Sequence, residues 1–234
     1  MTAHIVIPFR DRGRDPLRGK NLGTVVDWWT GSPWPIHVID DGRDTDAQFN
    51  RSAAYNRGLK LAAEDGADVV IYTESDMLVP WAQIEAAVHT ARCHRGLVIG
   101  FTSYRYLSEH DAARVRGGAR PKDMIPESTM DNGASIGAVN VVSLDTMQAV
   151  GQWDETFEGS WYDDTAMFHA FRVAAGEPRW VAGPGWHLYH LPGWTGDHLT
   201  DEDRAATARN AARWELYRQA TTAERIRELT AGGA

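Results

Sequence analysis

The sequence predicts an α/β fold: a mostly parallel central sheet flanked by helices, with a helical C-terminal tail. Three observations carry that reading. Strand and helix patterns alternate through the first hundred or so residues. The run DVVIYT at 68–73 is continuously apolar, as a central strand covered on both faces must be. Each of the first three strands also runs straight into charged residues.

Residues 4–8 (HIVIP) read as the first strand. Leu22, Val25, Val26 and Trp29 then recur at helical spacing. A Pro/Gly-rich turn at 31–35 leads into a strand at 36–39, which ends in Asp40-Asp41-Gly42. A helix is expected over 47–65, with Ala54, Gly58, Leu61 and Ala62 on one stripe and Gly66 closing it. The strand 68–73 follows and ends in Glu74-Ser75-Asp76. Pro80 suits the first turn of a helix that turns Trp81, Ile84, Val88 and Ala91 inward. Residues 97–101 form a fourth strand. The pattern then breaks: 103–133 is polar, Arg/Gly-rich and aperiodic, and reads as a long loop. Beyond it come a strand at 135–142, a short helix capped by Ser143, a helix from about Asp163, and a strand at 179–182. The tail opens with a Thr200-x-x-Asp203 capping box.

Composition narrows the function. The chain has 234 residues and a net charge of −8, so bulk electrostatic binding of nucleic acid is disfavoured. Hydrophobic residues make up 43%, which excludes wholesale disorder. The single cysteine, Cys93, can form no intramolecular disulfide. No signal-peptide core and no run of about 18 apolar residues is present, so the expectation is a cytoplasmic protein with no membrane span. Ten tryptophans are an excess that serves either core packing or sugar stacking.

Ligands of open α/β sheets bind at the carboxyl ends of strands. Three such ends carry charge here: Arg10-Asp11, Asp40-Asp41 and Glu74-Ser75-Asp76. No Gly-x-Gly-x-x-Gly and no Walker lysine loop is present to cradle phosphates. A diphosphate can instead be held through a divalent metal, and carboxylates suit Mg²⁺ or Mn²⁺. A second acidic group, Asp163-Asp164, follows Trp161-Tyr162. A hydroxyl is a weak nucleophile, and a carboxylate within reach can take its proton; the alternative is that these acids cap a helix. His187, His190 and His198 fall in a Trp/Gly/Pro-rich stretch without zinc-site spacing.

The ordered set PFRDR, VIDDG, AAYNRGLKLA, VVIYTESDML and GAVNVVSLDTMQAVGQWDETFEGSWYDDTAMFHAF resembles the GT-A (Rossmann-like) nucleotide-sugar glycosyltransferases. It is most similar to the inverting family-two type with a galactosyltransferase-like C-terminal module, over about residues 5–190. The resemblance implies one domain over 1–234. Its parts are a nucleotide-sugar half (1–102), an acceptor and catalytic half (103–198) and the tail (199–234). It implies that Pro8, Arg10, Asp40, Asp41, Arg51, Asn56, Glu74, Ser75 and Asp76 line the donor site. Glu74-Ser75-Asp76 stands where the family carries Asp-x-Asp, with Glu74 replacing the first Asp. Asp76 and His190, with His187 second and Glu74 a further candidate, would hold Mn²⁺ or Mg²⁺. Asp164 is the implied general base, Asp163 its companion, and Trp161 and Tyr162 the acceptor platform with Trp186 and Trp194 nearby.

The function expected is metal-dependent, inverting sugar transfer from a UDP- or GDP-linked donor to an acceptor hydroxyl; a modified base is one acceptor left open. Two rivals are a sugar-nucleotide nucleotidyltransferase and a non-catalytic carbohydrate- or nucleotide-binding module. The basic residues Arg105, Arg114, Arg116, Arg120 and Lys122 would form either a lid over the diphosphate or a solvated loop.

Overall fold

A computed structural model describes residues 2–44, 46–193 and 195–232. Strand β1 (Thr2–Pro8) leads into helix α1 (Pro16–Trp29), and β2 (Ile36–Ile39) into α2 (Arg51–Glu64). Next come β3 (Ala67–Thr73), β4 (Met77–Leu78), α3 (Trp81–Cys93) and the short β5 (Val98–Ile99). They are followed by β6 (Ser103–Tyr106), α4 (Glu109–Arg116), β7 (Ser128–Met130), β8 (Val139–Ser143) and α5 (Leu144–Val150). The chain finishes with α6 (Asp163–Ala174), β9 (Arg179–Trp180), β10 (Pro184–His187), α7 (Asp201–Gln219) and α8 (Ala223–Thr230).

Six strands form the main sheet, in the order β2-β1-β3-β8-β5-β9. The first three pair in parallel, as the apolar runs predict. Between β3 and β5 lies β8, antiparallel to both. The sheet is therefore mostly parallel with one reversed strand inserted at its centre. Helix α2 lies close on β1 because Gly58 faces Val6: an added Cβ would come within 2.3 Å of Val6 Cγ1. On that same stripe Leu61 turns outward and is 43% exposed, against expectation.

The stretch 103–133 is not a long loop. It supplies β6, α4 and β7, and a second sheet forms in the order β4-β10-β6-β7. This small sheet matters for the site. Pairing of His187 with Met77 and Trp186 with Leu78 sets the end of β10 beside Asp76. Three of the basic residues of this stretch are engaged within the fold. Arg114 pairs with Asp111, Arg120 with Asp123, and Arg116 donates to Asn21 Oδ1 at 2.9 Å.

The aromatic excess mostly fills the core. Trp29, Trp153 and Trp186 are buried, and Trp153 packs among Tyr55, Tyr72 and Phe171 beneath β3. Trp161 and Trp180 are exposed; Trp194 lies outside the described residues. The tail closes the structure as the capping box predicts. Thr200 accepts from the Asp203 N–H, and Asp203 returns the bond to Thr200. No described helix is long and apolar enough to cross a membrane.

Asp154 ties α7 to the loop ahead of α6. Fully buried, it pairs with Arg213 at 2.8 Å and accepts from Tyr217 OH (2.9 Å) and from Thr156 Oγ1 and N–H. Removing one member of a buried, hydrogen-bonded ion pair leaves the other uncompensated. Asp154→Ala is expected to lower unfolding free energy by about 3–5 kcal/mol in urea denaturation.

Candidate active site

The ends of β1 and β3, the N-terminus of α6 and the end of β10 open on one cleft of about 750 Å³. Pro8, Arg10, Arg51, Glu74, Ser75, Asp76, Trp161, Tyr162, Asp163, Asp164 and His190 all border it, so most of the expected site residues are brought together. Three are not at its wall. Asp41 is buried and accepts from Arg10 Nε at 2.7 Å and from the Asn50 N–H at 2.8 Å, anchoring the start of α2. Asp40 caps the Gly42 N–H and pairs with Arg57. Asn56 donates to Trp153 O and Glu155 Oε1 and accepts from the Trp153 N–H, pinning that loop to α2. Each is an anchor where a nucleoside contact was expected. Arg10 clamps the loop after β2 as well, donating to the carbonyls of Asp44, Ala47 and Gln48.

At one wall, Asp76 faces two histidines. His190 Nε2 lies 3.0 Å from Asp76 Oδ2, His187 Nε2 lies 3.8 Å from Oδ1, and the two Nε2 atoms are 3.2 Å apart. The three ligand atoms lie within 4.8 Å of one another. Asp76 Oδ1 is buried and accepts no hydrogen bond. Such an oxygen is costly without a cation or donor. His190 Nδ1 lies 2.7 Å from Leu191 O, and a proton on Nδ1 donates there. Burial favours neutral Asp76, but the two imidazoles override it and hold the carboxyl well below its ordinary value. Burial pushes His187 down to about 4, so its imidazole is neutral at pH 7. His190 is also desolvated, yet Asp76 lifts it above its ordinary value. Glu74, a candidate fourth ligand, stands outside this cluster.

Glu74 is engaged elsewhere. The Arg51 guanidinium pairs with Glu74, with Asp163 Oδ2 (2.5 Å from Nη2, 2.9 Å from Nε) and with Asp164 Oδ2 (2.9 Å). Burial pushes Glu74 up to about 8 despite Arg51. Burial first, then repulsion from Asp163, also raises Asp164 above the ordinary aspartate value. Neither aspartate caps α6: Tyr162 is the N-cap residue, and Asp163 and Asp164 occupy the first turn. The positive end of the helix dipole favours both charges there. Asp164 packs against Gly137, where an added Cβ would lie 2.5 Å from the carboxylate.

The approach to these acids is strained. Trp161 (φ 81°) and Tyr162 (φ 72°) are both left-handed, which costs non-glycine residues about 1–3 kcal/mol each. Asn210 of α7 braces the turn, with Nδ2 donating to Glu158 O (2.8 Å), Trp161 O (3.1 Å) and Ser160 O (3.3 Å). Trp161 remains 50% exposed.

Four wall residues were not expected from the sequence. Arg12 points Nε and Nη2 into buried space with no hydrogen-bond partner. Its Nη1 donates to Gln48 Oε1 at 3.2 Å. Arg18 reaches His190 Nδ1 at 3.1 Å from α1. Tyr104 and Tyr106 of β6 pack against His187.

No family model matches the sequence, and no curated protein is similar to it at the level of sequence. Solved structures do resemble it. A mutant Drosophila β1,4-galactosyltransferase 7, in complex with manganese, UDP-Gal and xylobiose, superposes with a TM-score of 0.55. The two are 14% identical, and the match covers 88% of this chain and 79% of that one. Glucosyl-3-phosphoglycerate synthase from Mycobacterium tuberculosis, with Mn²⁺, UDP and phosphoglyceric acid, gives 0.52 at 13% identity, over 93% and 78%. S. aureus TarS (residues 1–349) gives 0.50 at 12% identity, over 99% and 71%. The chain has the GT-A nucleotide-sugar glycosyltransferase fold.

Asn210→Ala removes the brace. A loss of about 1–3 kcal/mol is expected from the unsatisfied carbonyls. Urea denaturation of the variant checks it.

Proposed function

We propose that this protein is a metal-assisted glycosyltransferase that moves a sugar from a nucleoside-diphosphate donor to an acceptor hydroxyl with inversion. The observation that carries this reading is the pairing, across one cleft, of an Asp76/His187/His190 cluster with two Arg51-held aspartates. The fold is that of glycosyltransferases, and two of the similar structures contain UDP or UDP-Gal with manganese.

The donor set fits a divalent ion. Two imidazole nitrogens and a carboxylate converge, and one carboxylate oxygen is buried without a partner. Imidazole favours Mn²⁺ over Mg²⁺. Such an ion, when bound, would neutralise charge on the departing diphosphate. The N–H groups of Arg12 that lack a partner supply further donors on the same cleft. Exposed Trp161, with Tyr162 beside it, offers an aromatic face to the acceptor sugar. Asp164 accepts the acceptor proton as the new bond to the anomeric carbon forms and the bond to the diphosphate oxygen breaks. Asp163 stays on Arg51 and fixes that guanidinium beneath Asp164. Glu74 completes the same lock from the strand side.

Thermal unfolding with UDP, GDP, CMP and dTDP, with and without Mn²⁺, tests the donor half. One diphosphate should raise Tm in a metal-dependent way, by about 2.7 kcal/mol of stabilisation at 100 times its Kd. Asp76→Ala should abolish the shift. No shift with any nucleotide would overturn the metal–diphosphate site and leave a non-catalytic module as the better reading. Release of pyrophosphate from a nucleoside triphosphate would favour the nucleotidyltransferase.

The acceptor half is tested by pH. The base must be ionised, so kcat/KM rises with pH through the pKa of Asp164. That limb should lie above the ordinary aspartate value of about 3.9. Arg51→Met removes the positive charge and should move the limb further up. Asp164→Asn should lower kcat by about 10²–10⁴ and remove the limb.

A further inference from the structure

A second cluster of metal-ligating side chains lies away from the cleft. His4 on β1 and His37 on β2 sit on neighbouring strands, where Val6 and His37 are in register. His4 is four residues back along β1 from Pro8 at the cleft wall, about 13 Å at roughly 3.3 Å per residue. His4 Nδ1 and His37 Nε2 face each other at 2.9 Å, with the ring planes nearly parallel at 13°. Asp65, the C-cap residue of α2, brings its carboxylate to the same point. All three ligand atoms lie within 4.8 Å of one another.

We propose that His4 Nδ1, His37 Nε2 and the Asp65 carboxylate form a second divalent-metal site, of the zinc class, at the end of the sheet opposite the cleft. The chemistry of the ligands selects the ion. Two imidazoles and one carboxylate suit Zn²⁺ and its neighbours rather than Mg²⁺ or Ca²⁺. The spacing is near what a tetrahedral centre needs. Zn–N bonds of about 2.0–2.1 Å put two ligand nitrogens about 3.3 Å apart, close to the 2.9 Å observed.

The second shell is also in place. His4 Nε2 lies 3.3 Å from Thr2 Oγ1; an Nε2 proton donated there leaves Nδ1 as the bare, metal-facing nitrogen. The ring is buried and held, while His37 is half-buried and Asp65 exposed, so an ion and a fourth ligand water can enter from solvent. Asp65 makes no ion pair with lysine or arginine among the described residues. It sits at the negative end of the α2 dipole, beside Glu64, and the last turn carries no basic residue. A carboxylate in that place is repelled by the helix end and gains from a cation. Bound metal would staple β1, the edge strand β2 and α2 together.

Cobalt(II) is the probe, because its visible d–d bands intensify in a low-coordinate N/O site. The Asp76→Ala protein, which lacks the cleft carboxylate, should take up one equivalent of Co²⁺ with visible absorbance, displaceable by Zn²⁺. Asp76→Ala/His37→Ala should take up none. Thr2→Val in the same background should weaken Co²⁺ binding by about tenfold. If Asp76→Ala fails to fold, the wild-type protein and His37→Ala are compared, and loss of one bound equivalent is expected. Failure of folded Asp76→Ala to bind Co²⁺ would overturn the site, as would an unchanged Co²⁺ titration on His37→Ala. Because the test reads metal at His37 and not turnover, failure of the glycosyltransferase reading leaves it standing.

Discussion

One half-buried guanidinium organises the cleft. Arg51 stands on the first turn of α2 and holds three carboxylates from two other elements: Glu74 at the end of β3, and Asp163 and Asp164 at the start of α6. Without it those acids would repel one another in a desolvated corner. With it they form a fixed acidic cluster on the cleft. Arg12, Arg18 and the Asp76 cluster border the same cleft, so it carries both acidic and basic groups.

Much of this framework can be read from local sequence. The strands 4–8 and 68–73 are legible because burial on both faces demands unbroken apolar runs, the edge strand 36–39 because a Pro/Gly-rich turn and Asp40-Asp41-Gly42 bound it, and α7 because of its Thr200–Asp203 capping box. The strand at β8 is legible, but its reversal and its place between β3 and β5 are not, because contacts tens of residues away set them. Nor is the small sheet, whose strands are short and whose β6 alternates Tyr with Ser and Arg. The acids divide in the same way. Asp76 and Asp164 reach the cleft, while Asp41 looks identical in sequence yet is consumed by Arg10 and Asn50. Which carboxylate meets ligand and which meets backbone depends on the arginine opposite, and sequence spacing does not supply that.

The C-terminal helices are bound to the site and not merely appended to it. Asn210 braces the turn before α6, Arg213 and Tyr217 hold Asp154, and Asp203 takes Arg14 and Gln48 from the β1 and β2 sides. The same helix thus reaches both the turn before α6 and the loop after β1. Its charged, evenly polar sequence hides this, because the contacts run through buried polar side chains that an amphipathic pattern does not mark.

The left-handed backbone at Trp161 and Tyr162 bears on how this protein can evolve. Glycine or asparagine at the exposed Trp161 relieves its strain with little loss of packing, so selection for heat tolerance alone has an easy route there, whereas Tyr162 also packs against the core. That route erases the aromatic face beside Asp163 and Asp164. Lineages kept under pressure for turnover should therefore carry a standing thermal debt at this turn, and lineages released from it should drift first at Trp161.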